Sequence, residues 1–277
     1  MCSSDLKLVA VGTVRLRSMF AAIATPAPRI GSPMSEPVAA GAAAGAGEAA
    51  GAGAGVATGA VAGAVYSRVL LPHRIIILCP NHTGMGAPIS VMTHGAWCTP
   101  LGDVPVDAEI AEALLAENSG LEEDVEAHRF EHAIEVQLPF LQHHVGASLT
   151  ITPITVGVGD WESLEQLGKS LAAVIRRIAP ETLMVASSDM NHYESDTVTR
   201  IKDARAIDRL LKRDALGLWE TVRRERISMC GFGPSCAVIT AANALGASSA
   251  ELIRYATSAE TSGDYNRVVG YAGVAIA

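Results

Sequence analysis

The chain has 277 residues, 49% of them hydrophobic, which is enough for one large α/β domain or two small ones. Its net charge is −8, with 21 basic residues against 29 acidic ones and no basic run, so neither nucleic acid nor an anionic membrane is an expected partner. Five scattered cysteines, Cys2, Cys79, Cys98, Cys230 and Cys236, make neither a CxxC nor a disulfide framework, and they point to a reducing cytoplasm.

Residues 1–58 differ from the rest. No helix or strand periodicity is visible before about Val61. Residues 38–65 are almost entirely Ala, Gly and Val, with Glu48 the one charge. That length would span a bilayer, but such small side chains contribute little transfer energy and no aromatic belt flanks them. The segment is therefore predicted to be low complexity, not a membrane helix. Arg15 and Arg17 precede only a brief apolar patch, so no signal peptide is predicted. Cys2-Ser3-Ser4-Asp5-Leu6 matches a translated sequencing adapter, which marks residues 1–58 as disordered or artefactual sequence.

Beyond it, strands and helices alternate. Ile75-Ile76-Ile77-Leu78 is short, β-branched and uniformly apolar, as in a buried central strand over 75–79. Pro80, Gly84 and Gly86 then break it into a loop carrying His82. A short strand is predicted over 91–97 before a turn at 99–103, and Asp107 caps a helix over 108–117. A helix is predicted over about 131–143. Strand 149–157, helix 162–178, strand 182–187, a long helical region 196–224, helix 235–245 and strands 251–257 and 267–276 complete the chain. The alternation predicts an α/β fold with a largely parallel central sheet flanked by helices.

In such folds ligands bind beyond the carboxyl ends of the strands. His82 falls there, and so do Asp189 and His192 in Ser187-Ser188-Asp189-Met190-Asn191-His192. Asp and His serve as metal ligands or as an acid/base pair. Cys230 precedes a glycine-rich helix entry, Gly231-Phe232-Gly233-Pro234, where a thiolate is favoured. Glu131-His132 opens a predicted helix on which His132 and Glu135 would share a face. Ser258 to Asp264 is a polar loop that lines a pocket or is simply solvated. His73, His94, His128, His143, His144 and Cys236 are assigned structural roles. A mixed N/O/S site favours iron, copper or zinc over magnesium. A Ser-His-Asp hydrolase fits less well, because no GxSxG is present.

Pro80-Asn81-His82-Thr83-Gly84, Thr99-Pro100-Leu101-Gly102-Asp103, Glu131-His132 through Leu138-Pro139, Ser187-Ser188-Asp189 through His192, and Cys230-Gly231 occur in that order. Together, from about residue 59 onward, they resemble the Memo family, also called AmmeMemoRadiSam system protein B. The resemblance implies a fold like that of the class III extradiol dioxygenases. It also implies a metal site of two histidines and a cysteine, with iron or copper and redox chemistry. By motif, His82 matches the second histidine and Cys230 the cysteine, while His132, Asp189 and His192 supply supporting or acid/base groups. The family's first histidine lies in a Pro-His-Ala-Gly-Tyr motif, and here no histidine precedes His73. The strand carrying it is likewise expected to be missing, which would open a sheet edge and promote dimerisation. The family name implies AMMECR1-like and radical SAM proteins as partners. A peptide- or partner-binding module without enzymatic activity is the alternative, and a hydrolase the third.

Overall fold

Four parallel strands make the heart of the molecule, and the site lies at their carboxyl ends. The computed structural model describes residues 8–11, 24–25 and 51–277, with side chains described at Ala57 and from Gly59 onward. In chain order the elements are β1 (Leu8–Val11), β2 (Ala24–Thr25), α1 (Gly51–Tyr66), β3 (Arg74–Pro80), β4 (Ile89–Val91), β5 (Ala96–Thr99), β6 (Gly102–Pro105), α2 (Ala108–Glu117), β7 (Glu122–Glu123), α3 (Leu138–Val145) and β8 (Thr150–Val156). They continue with α4 (Trp161–Ile178), β9 (Leu183–Ser187), β10 (His192–Glu194), α5 (Asp196–Leu211), α6 (Ala215–Arg224), α7 (Phe232–Leu245), β11 (Ala250–Thr257), α8 (Ala259–Ser262) and β12 (Val268–Ile276).

The main sheet has the order β10-β12-β1-β9-β3-β8-β4-β7, with β11 also paired to β12. Strands β1, β9, β3 and β8 run parallel. Antiparallel β12 and β4 flank them. A small second sheet, β2-β5-β6, lies apart.

Successive side chains of a strand point to opposite faces, and β3 divides accordingly. Ile76 and Leu78 join one core with Leu164, Leu167 and Leu171 of α4 and Val238 and Ile239 of α7. Ile75, Ile77 and Cys79 join the other with Val65 and Tyr66 of α1 and Leu138 and Leu141 of α3. A parallel strand covered by helices on both faces reads as an unbroken apolar run, which is why Ile75–Leu78 was legible.

The helices begin where their capping residues dictate. Asp107 accepts from the Ile110 N–H at 3.2 Å and Asp160 from the Ser163 N–H at 2.9 Å. Asp107 also takes a bidentate pair from Arg74, at 2.6 and 2.7 Å, which ties the start of α2 to the start of β3. The long helical region 196–224 is two helices, because Arg213 turns left-handed at φ 53° and Asp214 caps α6 through the Gly217 N–H at 2.8 Å.

Three expectations change. The first concerns the chain before Val61, where no element was predicted. Here α1 starts at Gly51, and Leu8–Val11 forms a strand. Its alanines favour helix and its glycines do not, so packing decides: Ala57 and Val61 are buried against Ala256, Val269 and Tyr271. A Cβ on Gly273 would lie 2.4 Å from the Val65 side chain, so that glycine lets α1 sit directly on β12. Second, β1 fills the place between β9 and β12, with Val9 opposite Val185 on one side and Ala275 on the other. The open edge expected there is therefore not found. Third, residues 91–97 are not one strand, since β4 ends at Val91 and β5 begins at Ala96. Residues 1–7, 12–23 and 26–50, including the adapter-like start, lie outside the described residues. Among the described residues no helix is long and apolar enough to cross a membrane.

Candidate metal centre

Pro80 ends β3, and Asn81 shapes the loop that follows. Its side-chain oxygen accepts from the Thr83 hydroxyl and the Gly84 N–H, both at 2.9 Å, while its amide nitrogen donates to the Met85 carbonyl at 2.7 Å. Such Asx-turn bonding sets the loop locally. His82 is thereby carried to Glu131. The Glu131 carboxylate accepts the His82 N–H at 2.7 Å and stands 2.9 Å from the ring Nδ1. A carboxylate only accepts, so Nδ1 carries the proton. The Cys230 side chain also acts on the His82 ring and favours its charged form.

Glu131 is fully buried and also accepts the Ala133 N–H at 2.9 Å. Burial works against its charge, but the His82 bonds and charge and the Ala133 N–H hold it below the usual carboxylate range. Burial likewise disfavours a charged His82, yet Cys230 and the Glu131 carboxylate push it up to about 10. His132 stacks on His82, with ring centroids 4.8 Å apart and planes 26° apart, and its Nδ1 lies 3.4 Å from Glu131.

The second group comes from the end of β9. The Ser187 hydroxyl donates to the Ala133 carbonyl at 2.7 Å and accepts from the Gln137 amide at 3.0 Å. Tyr66 in turn donates to Gln137 at 2.9 Å. This buried chain fastens the segment carrying Glu131 and His132 to the sheet edge. Beyond it the Asp189 N–H donates to the Cys230 sulfur at 3.1 Å. A Cβ on Gly231 would come within 2.5 Å of the Ser187 carbonyl and the Ser188 side chain, so only glycine lets Cys230 reach that position.

His192 is held by Ser228, whose hydroxyl accepts the His192 N–H and whose carbonyl accepts from ring Nδ1, both at 2.7 Å. Its Nε2 then faces Asp189 Oδ2 at 3.4 Å. Burial disfavours the imidazolium, but Asp189 and the Ser228 carbonyl raise His192 above its ordinary value.

Two three-residue groups result, His82–Glu131–His132 and Asp189–His192–Cys230. Within each, the donor atoms lie within 4.8 Å of one another. All five residues singled out in the sequence are thus at this edge, and Cys230 of one group acts on His82 of the other. The helical spacing argued for His132 and Glu135 is corrected: residues 133–137 form turns, and α3 begins only at Leu138. Three contributors were missed as site residues: Glu131, Gln137 and Ser228. Glu131 alone had a signal, a carboxylate directly before a site histidine.

Among the histidines assigned structural roles, one is fixed in the core. His128 is buried with ring nitrogens 2.9 Å from the Asp124 carbonyl and 3.2 Å from that of Pro153. Cys236 is buried with its thiol raised by desolvation, and Cys79, Cys230 and Cys236 are free thiols. Ser258 belongs to the packing of α8, accepting the Val269 N–H at 3.1 Å.

Known proteins of one family match most of the chain. The chain is 43% identical to a MEMO1 family protein of Methanopyrus kandleri over 203 residues, covering 73% of this chain and 72% of that protein. MEMO1 family proteins of Pyrobaculum arsenaticum and Desulfurococcus amylolyticus are 44% and 45% identical, across 73% of this chain and 72% and 71% of theirs. A solved structure of an uncharacterized protein from Escherichia coli K12 is similar at 14% identity and a TM-score of 0.48, over 77% of this chain and 91% of that one, too distant to carry an argument. The family model for Memo-like proteins matches residues 53–275, and the chain belongs to the Memo-like protein family.

Proposed function

We propose that this chain is a metal-dependent redox protein that holds iron or copper through His82 and Cys230, with Asp189 and His192 beside the thiolate. One observation carries this: both His82 and His192 are fixed through Nδ1, by Glu131 and by the Ser228 carbonyl, so that Nε2 of each is left for the site. Metal-binding histidines are oriented in this way by a carboxylate or carbonyl on the far ring nitrogen. Imidazole and thiolate donors suit iron and copper, and such a metal would supply one-electron and oxygen chemistry.

The chain's own groups do the rest. Glu131 holds the His82 proton at Nδ1. The Asp189 N–H donates to the Cys230 sulfur and holds it in place. His192, with a raised pKa, holds a proton that it can pass to a bound substrate, and His132 shields the His82 face from water. AMMECR1-like and radical SAM proteins are proposed partners on the family name alone.

The test is the metal content of anaerobically purified protein, with Cys230→Ala alongside. Near-stoichiometric iron or copper that disappears in the variant supports the proposal. No metal after reconstitution rejects it. The second reading, a module binding a peptide, is favoured by exposed Met85, Phe130 and Tyr193, each neighbouring a site loop. It requires no metal and no oxygen consumption. A serine hydrolase is disfavoured, since Ser187 and Ser188 give their hydroxyl protons to the carbonyls of Ala133 and Asp189.

A further inference from the structure

We propose that Tyr193 and Arg267 form a carboxylate subsite at the rim of this centre, which selects substrates carrying a carboxylate beside a flat apolar group. The inference rests on the proposed function for the purpose of the subsite, though not for its existence.

Tyr193 lies between His192 and Glu194 of β10, where the register against β12 shifts. His192 is opposite Val269 and Glu194 opposite Val268, so Tyr193 is the extra residue of a bulge. Bulges next to sites re-aim a side chain. Its backbone is left-handed, at φ 64°, a conformation that a bulky aromatic adopts only when its surroundings impose it. Here they do: His192 is tied to Ser228 and Asn191 is tied to Asp203, so the chain on the N-terminal side of Tyr193 cannot relax.

The strain gains nothing for packing, because Tyr193 is 58% exposed. It does place the ring 5.6 Å from that of His192, at 53°, and so one ring away from the Asp189–His192–Cys230 group. The Arg267 guanidinium lies 5.2 Å from the same ring's centre. Arg267 is exposed and has no carboxylate partner among the described residues, whereas Arg74, Arg177, Arg200, Arg205 and Arg209 are each paired. A planar guanidinium stacked on an aromatic ring keeps its N–H edge free for a carboxylate. A flat ligand lying along Tyr193 would present its carboxylate to Arg267 and its other end to His192.

The test uses protein stripped of metal by a chelator, so that it is independent of redox activity. Benzoate and its uncharged isostere benzamide are titrated by ligand-observed NMR. Saturable binding of benzoate but not of benzamide is expected, weakened about tenfold by Arg267→Gln and less by Arg267→Lys. Tyr193→Gly, which relieves the strain and removes the ring, is expected to weaken binding while raising the melting temperature. A tripeptide acid compared with its C-terminal amide separates the two sources of carboxylate: tighter binding than benzoate assigns the subsite to a chain end, weaker binding to a free acid. Equal binding of benzoate and benzamide, or unchanged binding in Arg267→Gln, overturns the proposal. Metal content of Arg267→Gln, measured in parallel, stays at the unsubstituted level, so a failure of the metal centre is seen separately.

Discussion

Glu131 is the residue whose loss tests the centre most directly. It is buried, paired to His82 and bonded to two backbone N–H groups. Glu131→Gln keeps its shape but removes its charge, and metal affinity should fall 10- to 100-fold, roughly the usual effect of losing such an outer partner. Competition with a chromophoric chelator measures it, and unchanged affinity would mean that His82 is not a ligand. Gly231→Ala acts through sterics instead. The added Cβ collides with the Ser187 carbonyl, so Cys230 must move. Loss of metal in a protein that still melts cooperatively is the expected result.

At the scale of elements, Asp107 and Asp203 join pieces distant in sequence. Asp107 caps α2 and binds Arg74 with both oxygens, and only 8% of its side chain is exposed. Burial opposes its charge, but Arg74 and the Ile110 N–H bring it below the usual range. Asp107→Ala removes both cap and pair and should cost about 3 kcal/mol in chemical denaturation. Because the folded value is lowered, that stabilisation is present at neutral pH and fades as acid is added.

Asp203 of α5 behaves oppositely. It is fully buried, accepting the Asn191 N–H at 2.9 Å and the Tyr255 hydroxyl at 2.8 Å. Desolvation outweighs those bonds and pushes it up to about 6. Its contribution is therefore complete below pH 4 and lost as pH rises through 6, amounting to about 3 kcal/mol. The difference in stability between the unsubstituted protein and Asp203→Asn should shrink over that window. A flat difference would refute the assignment.

For the whole molecule, β1 is the decisive strand. It pairs on both sides, antiparallel to β12 and parallel to β9. Deleting residues 1–12 would leave two strands with unpaired backbone, a template for edge-to-edge association. Size-exclusion chromatography should show larger species after deletion, and an unchanged elution volume would mean that the strand is dispensable.

How much of this was legible followed from where the information resides. The α/β class, the position of β3 and the capping of α2 by Asp107 are written in local runs, because a buried parallel strand and an N-cap each need only a few adjacent residues. That the five candidate site residues would gather at one place was readable because strand ends converge at one edge in any parallel sheet. The helix at 131 was not, because apolar spacing cannot reveal that Glu131 is drawn down to His82, 49 positions away. Helix α1 was hidden in an Ala/Gly stretch whose helicity comes from the surface it lies on. The place of β1 depends on β9 and β12, both far along the chain. The sequence by itself determined the local elements and which side chains gather at this sheet edge. Only the tertiary structure decided which nitrogen each histidine presents, since buried hydrogen bonds between distant segments set that choice.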